Sequence, residues 1–253
     1  MHVALFATCL GEVAFPQAPQ ATVELLERLG CIVDFPRAQT CCGQMLTNSG
    51  YGARALPMVR DLVAAFEGYD YVVAPSGSCV GSVRHQHAEL AREAGDPALA
   101  LAADDLASRM LELTEFLVDV LGVLDVGAQF PHRVAYHQTC HSARVAKIGD
   151  RPIRLLQQVR DLELAPIAQA DACCGFGGTF SVKNPDVSMA MGTDKVHAVL
   201  DSGADVLVAA DASCLLHLGG ILQRQGQPIR VMHLAEVLNT TGAPARHSRI
   251  GVA

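Results

Sequence analysis

The tripeptide Cys-Cys-Gly occurs twice, at Cys41-Cys42-Gly43 and at Cys173-Cys174-Gly175, and its surroundings repeat with it. Cys9 precedes the first pair and Cys79 follows it; Cys140 and Cys214 take the same places around the second. The separations are 131 residues (Cys9 to Cys140), 132 (Cys41 to Cys173, Cys42 to Cys174) and 135 (Cys79 to Cys214). Eight of the nine cysteines therefore belong to one unit written twice. A repeat of this length constrains the fold more than local propensity does, because each copy must be a structural unit of like topology. The 253 residues leave room for two domains of ordinary size, placed at 1–125 and 126–253.

Within each copy, strand and helix patterns alternate. Residues 3–7 (VALFA) form an apolar run of strand length leading to Cys9 and Gly11. Val23, Leu25, Leu26 and Leu29 then recur at helical spacing up to Gly30. A second strand is expected over 31–35, a helix over about 53–67, and a third strand over 69–75 running into Ser76-Gly77-Ser78-Cys79. Further helices are expected over roughly 80–94 and 104–121, parted by Gly95-Asp96-Pro97. Residues 122–132 have Gly, Pro and few periodic apolar positions, which puts the boundary there. HRVAYHQTC (132–140) then parallels MHVALFATC (1–9), and ADVLVAADASC (204–214) parallels YDYVVAPSGSC (69–79). Between them lie an expected helix over 153–159, a strand over 162–167 and a helix over about 186–202; residues 232–238 answer to 114–121. The pattern predicts an α/β fold of two pseudo-symmetric repeats, each a small, mainly parallel sheet flanked by helices. The tail from Gly242 is small, polar and basic, and is expected to be loose.

Half of the residues are hydrophobic, as a folded globular chain requires. No apolar run approaches the roughly 18 residues of a membrane-spanning helix, so no transmembrane segment is expected. The N-terminus lacks a basic region and reads as a buried strand, not a signal peptide. A net charge of −7 and the lack of a basic stripe argue against nucleic-acid binding. Nine cysteines without an export signal point to a reducing compartment, the cytoplasm, where thiols serve metal or redox chemistry.

Cysteines at the carboxyl ends of parallel strands converge on one edge of a sheet, the usual place for a ligand. Four thiols arriving there from three loops look like a ligand set: Cys9, Cys41, Cys42 and Cys79 in one half, Cys140, Cys173, Cys174 and Cys214 in the other. Soft thiolates select iron–sulfur clusters, zinc or copper(I). Neighbouring side chains on extended backbone point opposite ways, so both members of a pair reach one centre only through a sharp turn, which the following glycine allows. Zinc is the rival occupant, and a redox-labile vicinal disulfide at either pair is a third reading. Cys31, alone in an apolar strand, reads as core. His137 and His141 bracket Cys140 and are read as metal ligands, donors to a cluster sulfur, or packed or solvent-facing side chains. Arg144 and Lys183 lie near cysteines in sequence, where a cation tunes potential; His217 and His233 fall in apolar stretches and read as core. Gly175-Phe176-Gly177-Gly178 follows a cysteine pair instead of a strand, so it is not a dinucleotide fingerprint. The sequence has no flavin or nicotinamide motif and no clear acid–base pair.

The segments FPRAQTCCGQMLTNSGY, VVAPSGSCV, YHQTCHSAR, ADACCGFGGTFSVKNPDVSMAM, GADVLVAADASCLLHLGG and IRVMHLAEVL resemble the cysteine-rich CCG-domain family, found in heterodisulfide reductase B-type subunits and in glycolate oxidase iron–sulfur subunits. They are most similar to its lactate-utilization members. The resemblance implies an iron–sulfur electron-transfer subunit of an L-lactate oxidation system, an oxidoreductase subunit dependent on partner proteins. It implies up to one [4Fe–4S] cluster per half on the eight cysteines, and two partner subunits, one of them ferredoxin-like. The fullest family motif ends each half in Cys-x-x-Cys; Ser76 and Asp211 stand here at its first position. Four thiolates per half remain, enough for a cubane, with an oxygen ligand from Ser76 or Asp211 left open. Two other readings stand beside this one: a thiol–disulfide or heterodisulfide-type oxidoreductase subunit, and a zinc-stabilised assembly subunit.

Overall fold

The computed structural model describes residues 1–241; the tail from Gly242 lies outside the described residues. Each repeat forms a wholly parallel four-stranded sheet. The first has strands β1 (His2–Leu5), β2 (Ile32–Asp34), β3 (Tyr71–Ala74) and β4 (Met110–Glu112), in the order β2-β1-β3-β4. The second has β5 (Arg133–Tyr136), β6 (Glu163–Ala165), β7 (Val206–Ala209) and β8 (Arg230–His233), in the order β6-β5-β7-β8. Registers match between the sheets. Leu5 pairs with Val73 as Tyr136 pairs with Val208, and Ala74 pairs with Glu112 as Ala209 pairs with His233. Parallel neighbours need crossovers, supplied by helices such as Gln17–Arg28, Gly52–Ala65 and Pro185–Asp201.

The expected helix over 104–121 is three elements. Helix Pro97–Arg109 ends, β4 pairs beside β3, and the chain turns helical again at Leu113. A three-residue strand between helices is too short to display period-two alternation. Its end is fixed by a capping box: the Glu112 side chain accepts from the Thr114 N–H while Glu115 accepts from the Glu112 N–H. His233 caps Leu234–Asn239 in the same way, with Glu236 as its reciprocal partner.

Side chains alternate across each sheet, and the two faces enter different cores. Val3 and Val73 from the first sheet, with Val134, Tyr136, Val206 and Val208 from the second, join one shared core. Leu25 and Leu26, Phe116, Leu155 and Leu234 fill it from helices of both halves. On the outer faces, Ala4, Val72 and Ala74 pack with Leu62 and Phe66, while Ala135, Leu207 and Ala209 pack with Val199 and Leu218. The sheets are thus joined through a common apolar layer. Among the described residues no helix is long and apolar enough to cross a membrane.

Candidate metal centre

All four single cysteines sit in the first turn of a helix that follows a strand. After β1, Thr8 adopts φ 66° and its Oγ1 accepts from the Gly11 N–H at 3.3 Å, opening helix Cys9–Ala14. Cys140 opens Cys140–Arg144 after β5. Cys79 lies in Gly77–Ser82, where its N–H donates to the Ser76 Oγ at 3.3 Å, and Cys214 lies in Ala212–Arg224 behind Asp211.

The paired cysteines come from the loops after β2 and β6. Gly43 and Gly175 both take left-handed backbone, at φ 77° and 89°. A Cβ on Gly175 would stand 2.5 Å from the Ser188 carbonyl oxygen, and one on Gly43 would stand 3.1 Å from the Ala55 Cβ. The sharp turn expected from sequence is present in both halves, and each glycine also donates its N–H to the first sulfur of its pair, at 3.4 Å.

These turns bring the thiols together. Cys9 Sγ lies 3.5 Å from Cys41 Sγ, Cys140 Sγ lies 3.8 Å from Cys173 Sγ, and Cys174 Sγ lies 3.1 Å from Cys214 Sγ. In each half Cys42 and Cys79, or Cys174 and Cys214, are buried, while the other two are more open, Cys9 the most so. All eight line one cavity of about 180 Å³ between the halves.

Crowded thiols cannot all ionise. Hydrogen bonds from the Cys42 and Cys9 thiols, with the Gly43 N–H behind them, pull Cys41 down to about 2. The Cys140 and Cys174 thiols and the Gly175 N–H do the same for Cys173, also to about 2. Cys214 accepts from Cys174 and is held at about 7. Cys9, Cys42, Cys140 and Cys174 are pushed upward, first by the hydrogen bonds their S–H groups donate and then by burial. Each set therefore holds a strongly favoured thiolate and further protons that a metal would displace.

Ser76 and Asp211 are engaged elsewhere. Asp211 Oδ1 accepts from the Ser76 Oγ at 2.7 Å and from the N–H and Oγ of Ser78 at 3.0 and 2.7 Å. Its Oδ2 accepts from the Thr139 Oγ1, and from the Ser142 Oγ at 3.2 Å. Burial opposes ionisation of this carboxyl, but the hydrogen bonds from Thr139, Ser76 and Ser78 outweigh it and hold it below the usual carboxylate range. Since Ser76 and Asp211 are equivalent residues in direct contact, they lie on the pseudo-twofold axis. His233 bonds there too: its Nδ1 accepts from the Ala235 N–H, so its Nε2–H donates toward Pro75 O (3.0 Å) and Ala210 O (2.9 Å), again equivalent positions.

The remaining residues singled out in the sequence divide as follows. Cys31 is buried in the shared core. Arg144 donates to the Asp171 carbonyl at 3.0 Å and Lys183 lies over the Tyr51 ring, so both have partners other than the sulfurs. His141 Nδ1 lies 3.6 Å from Cys140 Sγ. His217 Nε2 lies 3.2 Å from the Ser188 carbonyl, whose hydroxyl donates to Gly175 O at 2.8 Å and steadies that loop. His137 is fully buried, with a ring nitrogen near Cys174 and Cys214: these three donor atoms lie within 4.8 Å of one another. His87, which the sequence did not single out, bonds Cys42 O through Nε2 at 2.9 Å; the only signal for it was its place one helix beyond Cys79.

The sequence profile described as "Cysteine-rich domain" (CCG) matches residues 3–84 and 134–219. Lactate utilization protein A of Exiguobacterium sp. is 51% identical over 240 residues, covering 94% of this chain and 97% of that protein. Its namesake in Geobacillus kaustophilus is 50% identical, covering 94% and 99%, and that of Bacillus pumilus is 46% identical, covering 95% and 100%. A crystal structure of a hypothetical protein from Helicobacter pylori superposes with a TM-score of 0.65 at 12% identity, covering 96% of this chain and 49% of the other. That last likeness concerns the fold alone.

Proposed function

The chain belongs to the cysteine-rich CCG-domain family, and from that membership and its lactate utilization relatives we propose that it is an iron–sulfur electron-transfer subunit of an L-lactate oxidation system. One observation carries the reading: two sets of four thiols open onto a single cavity. The donors fit the group. Four soft sulfurs per half, two buried and two more open, suit a [4Fe–4S] cluster, with Cys9, Cys41, Cys42 and Cys79 holding one and Cys140, Cys173, Cys174 and Cys214 the other. A bound cluster would supply one-electron redox chemistry. The residues around it do the tuning. The Gly43 and Gly175 N–H groups point at Cys41 and Cys173, and hydrogen bonds to cluster sulfurs raise potential. The inner cysteines exclude water, while the exposed Cys9 marks the side that a partner's redox centre can approach. The partner subunits then supply the chemistry of lactate itself, for which this chain has no flavin or nicotinamide motif.

Anaerobic purification with iron, acid-labile sulfide and zinc assays, and EPR on the same sample, tests this. Iron and sulfide near four per half are expected, as for a [4Fe–4S] cluster. Cys41→Ser and Cys174→Ser should each remove about half, and Cys31→Ala none. L-lactate should reduce the clusters, read by the EPR signal of the reduced state, only when partner subunits are added, and glycolate in parallel decides the substrate. Zinc without sulfide would overturn the proposal.

A further inference from the structure

The two thiol sets are not surrounded alike. Phe6 and His137 are equivalent: each follows the first strand of its half and donates its backbone N–H across to the third strand, Phe6 to Val73 O (2.9 Å) and His137 to Val208 O (2.8 Å). Phe6 is core, packed edge-on against Phe66. His137 has the same burial, at 0% exposure, but a polar ring, and neither Nδ1 nor Nε2 makes a well-aligned hydrogen bond among the described residues, the Cys214 sulfur being the polar atom that the ring stabilises. An interior imidazole with no well-aligned partner for either nitrogen costs free energy that apolar packing does not return. A donor nitrogen of that ring, Cys174 Sγ and Cys214 Sγ lie within 4.8 Å of one another, a spacing in which one metal can be bound by all three.

We propose that His137 is a nitrogen ligand of the second half's metal centre, taking the place of one of the four cysteines assigned to it above and giving it a mixed sulfur–nitrogen donor set where the first half has sulfur alone. The inference rests on the metal-centre reading above. It explains the orphaned ring, since metal binding satisfies one nitrogen outright. It also separates the halves in function. A neutral imidazole adds no negative charge, and histidine ligation raises the potential of iron–sulfur centres. The second half is then the electron-accepting end of the pair.

The test uses the full chain, grown with 15N-histidine and purified anaerobically, with pulsed EPR beside iron and sulfide assays. The expected result is a histidine 15N coupling on one of two centres, lost in both His137→Phe and His137→Gln, with a fall in the midpoint potential of that centre alone. Phe is what the first half holds at this position, Gln keeps a polar side chain, and the labelled wild type needs no variant to fold. Iron and sulfide in both halves with no histidine coupling, or with a coupling that survives both variants, would overturn the His137 assignment and leave the relay standing. Zinc in place of iron would remove the relay, and zinc X-ray absorption would then decide: a nitrogen neighbour lost in His137→Phe upholds the ligand, and an all-sulfur shell overturns it. A chain that binds no metal overturns both.

Discussion

Gly175 has no room for a side chain: an added Cβ would meet the Ser188 carbonyl at 2.5 Å and the Met191 Cβ at 2.9 Å, on left-handed backbone. Gly175→Ala is therefore expected to cost about 2–3 kcal/mol in urea denaturation. It should also lower metal content in the second half while sparing the first. Glu112 offers a pH-dependent case. Burial raises its folded value to about 8 from the ordinary 4.5. The sign follows from linkage: its stabilisation is full below about 4.5 and is lost as pH rises through about 8. Denaturation across that window should show wild-type stability falling relative to Glu112→Gln, which keeps an acceptor for Thr114; parallel profiles would remove Glu112 as the cause. At this scale the cysteines were legible because their spacing repeats. Asp211 was noticed only as a missing cysteine, since its five donors come from Ser76, Ser78, Thr139 and Ser142, residues with no pattern of their own. His137 was singled out for its place beside Cys140, and the alignment of YHQTC with LFATC sets it against Phe6, a polar ring where the first half has an apolar one.

Among elements, the long apolar strands and the crossover helices were readable from period and breakers, and the fourth strand of each sheet was not. Each runs straight into a capped helix, which hides it in a helical pattern, and what defines β4 is its pairing with β3, a partner 38 residues earlier at Val72–Met110. The segment expected as one helix over 80–94 likewise contains a π-helical turn, Val83–His87, between two α-helical stretches. Such a turn re-aims the residues after it, and it ends on His87, whose Nε2 reaches the Cys42 carbonyl. His87→Leu removes that tie and leaves a buried carbonyl unpaired, for about 1–3 kcal/mol. Iron release from the first half under chelator should accelerate, and release from the second should not. Equal acceleration in both would mean that the turn serves general stability only.

For the whole molecule, the two halves share one apolar layer and one buried carboxylate. Asp211→Ala would strand hydroxyls from both halves, and a loss of at least about 3 kcal/mol is expected. Because the core is common, guanidinium unfolding followed by circular dichroism should show one transition moved to lower denaturant; two separated transitions would refute a joint core. The duplication was visible in the sequence, but its contact surface was not, because Ser76 and Asp211, which meet on the axis, stand 135 residues apart at equivalent places in the two halves. In a symmetric dimer of single units, the residue on the axis would face its own copy. Two aspartates would repel there, and two serines would offer no anion to the hydroxyls around them. The Ser76–Asp211 pairing is complementary only when unlike halves meet. Like-with-like association of either half would lack this contact, and a single polypeptide secures the right mate.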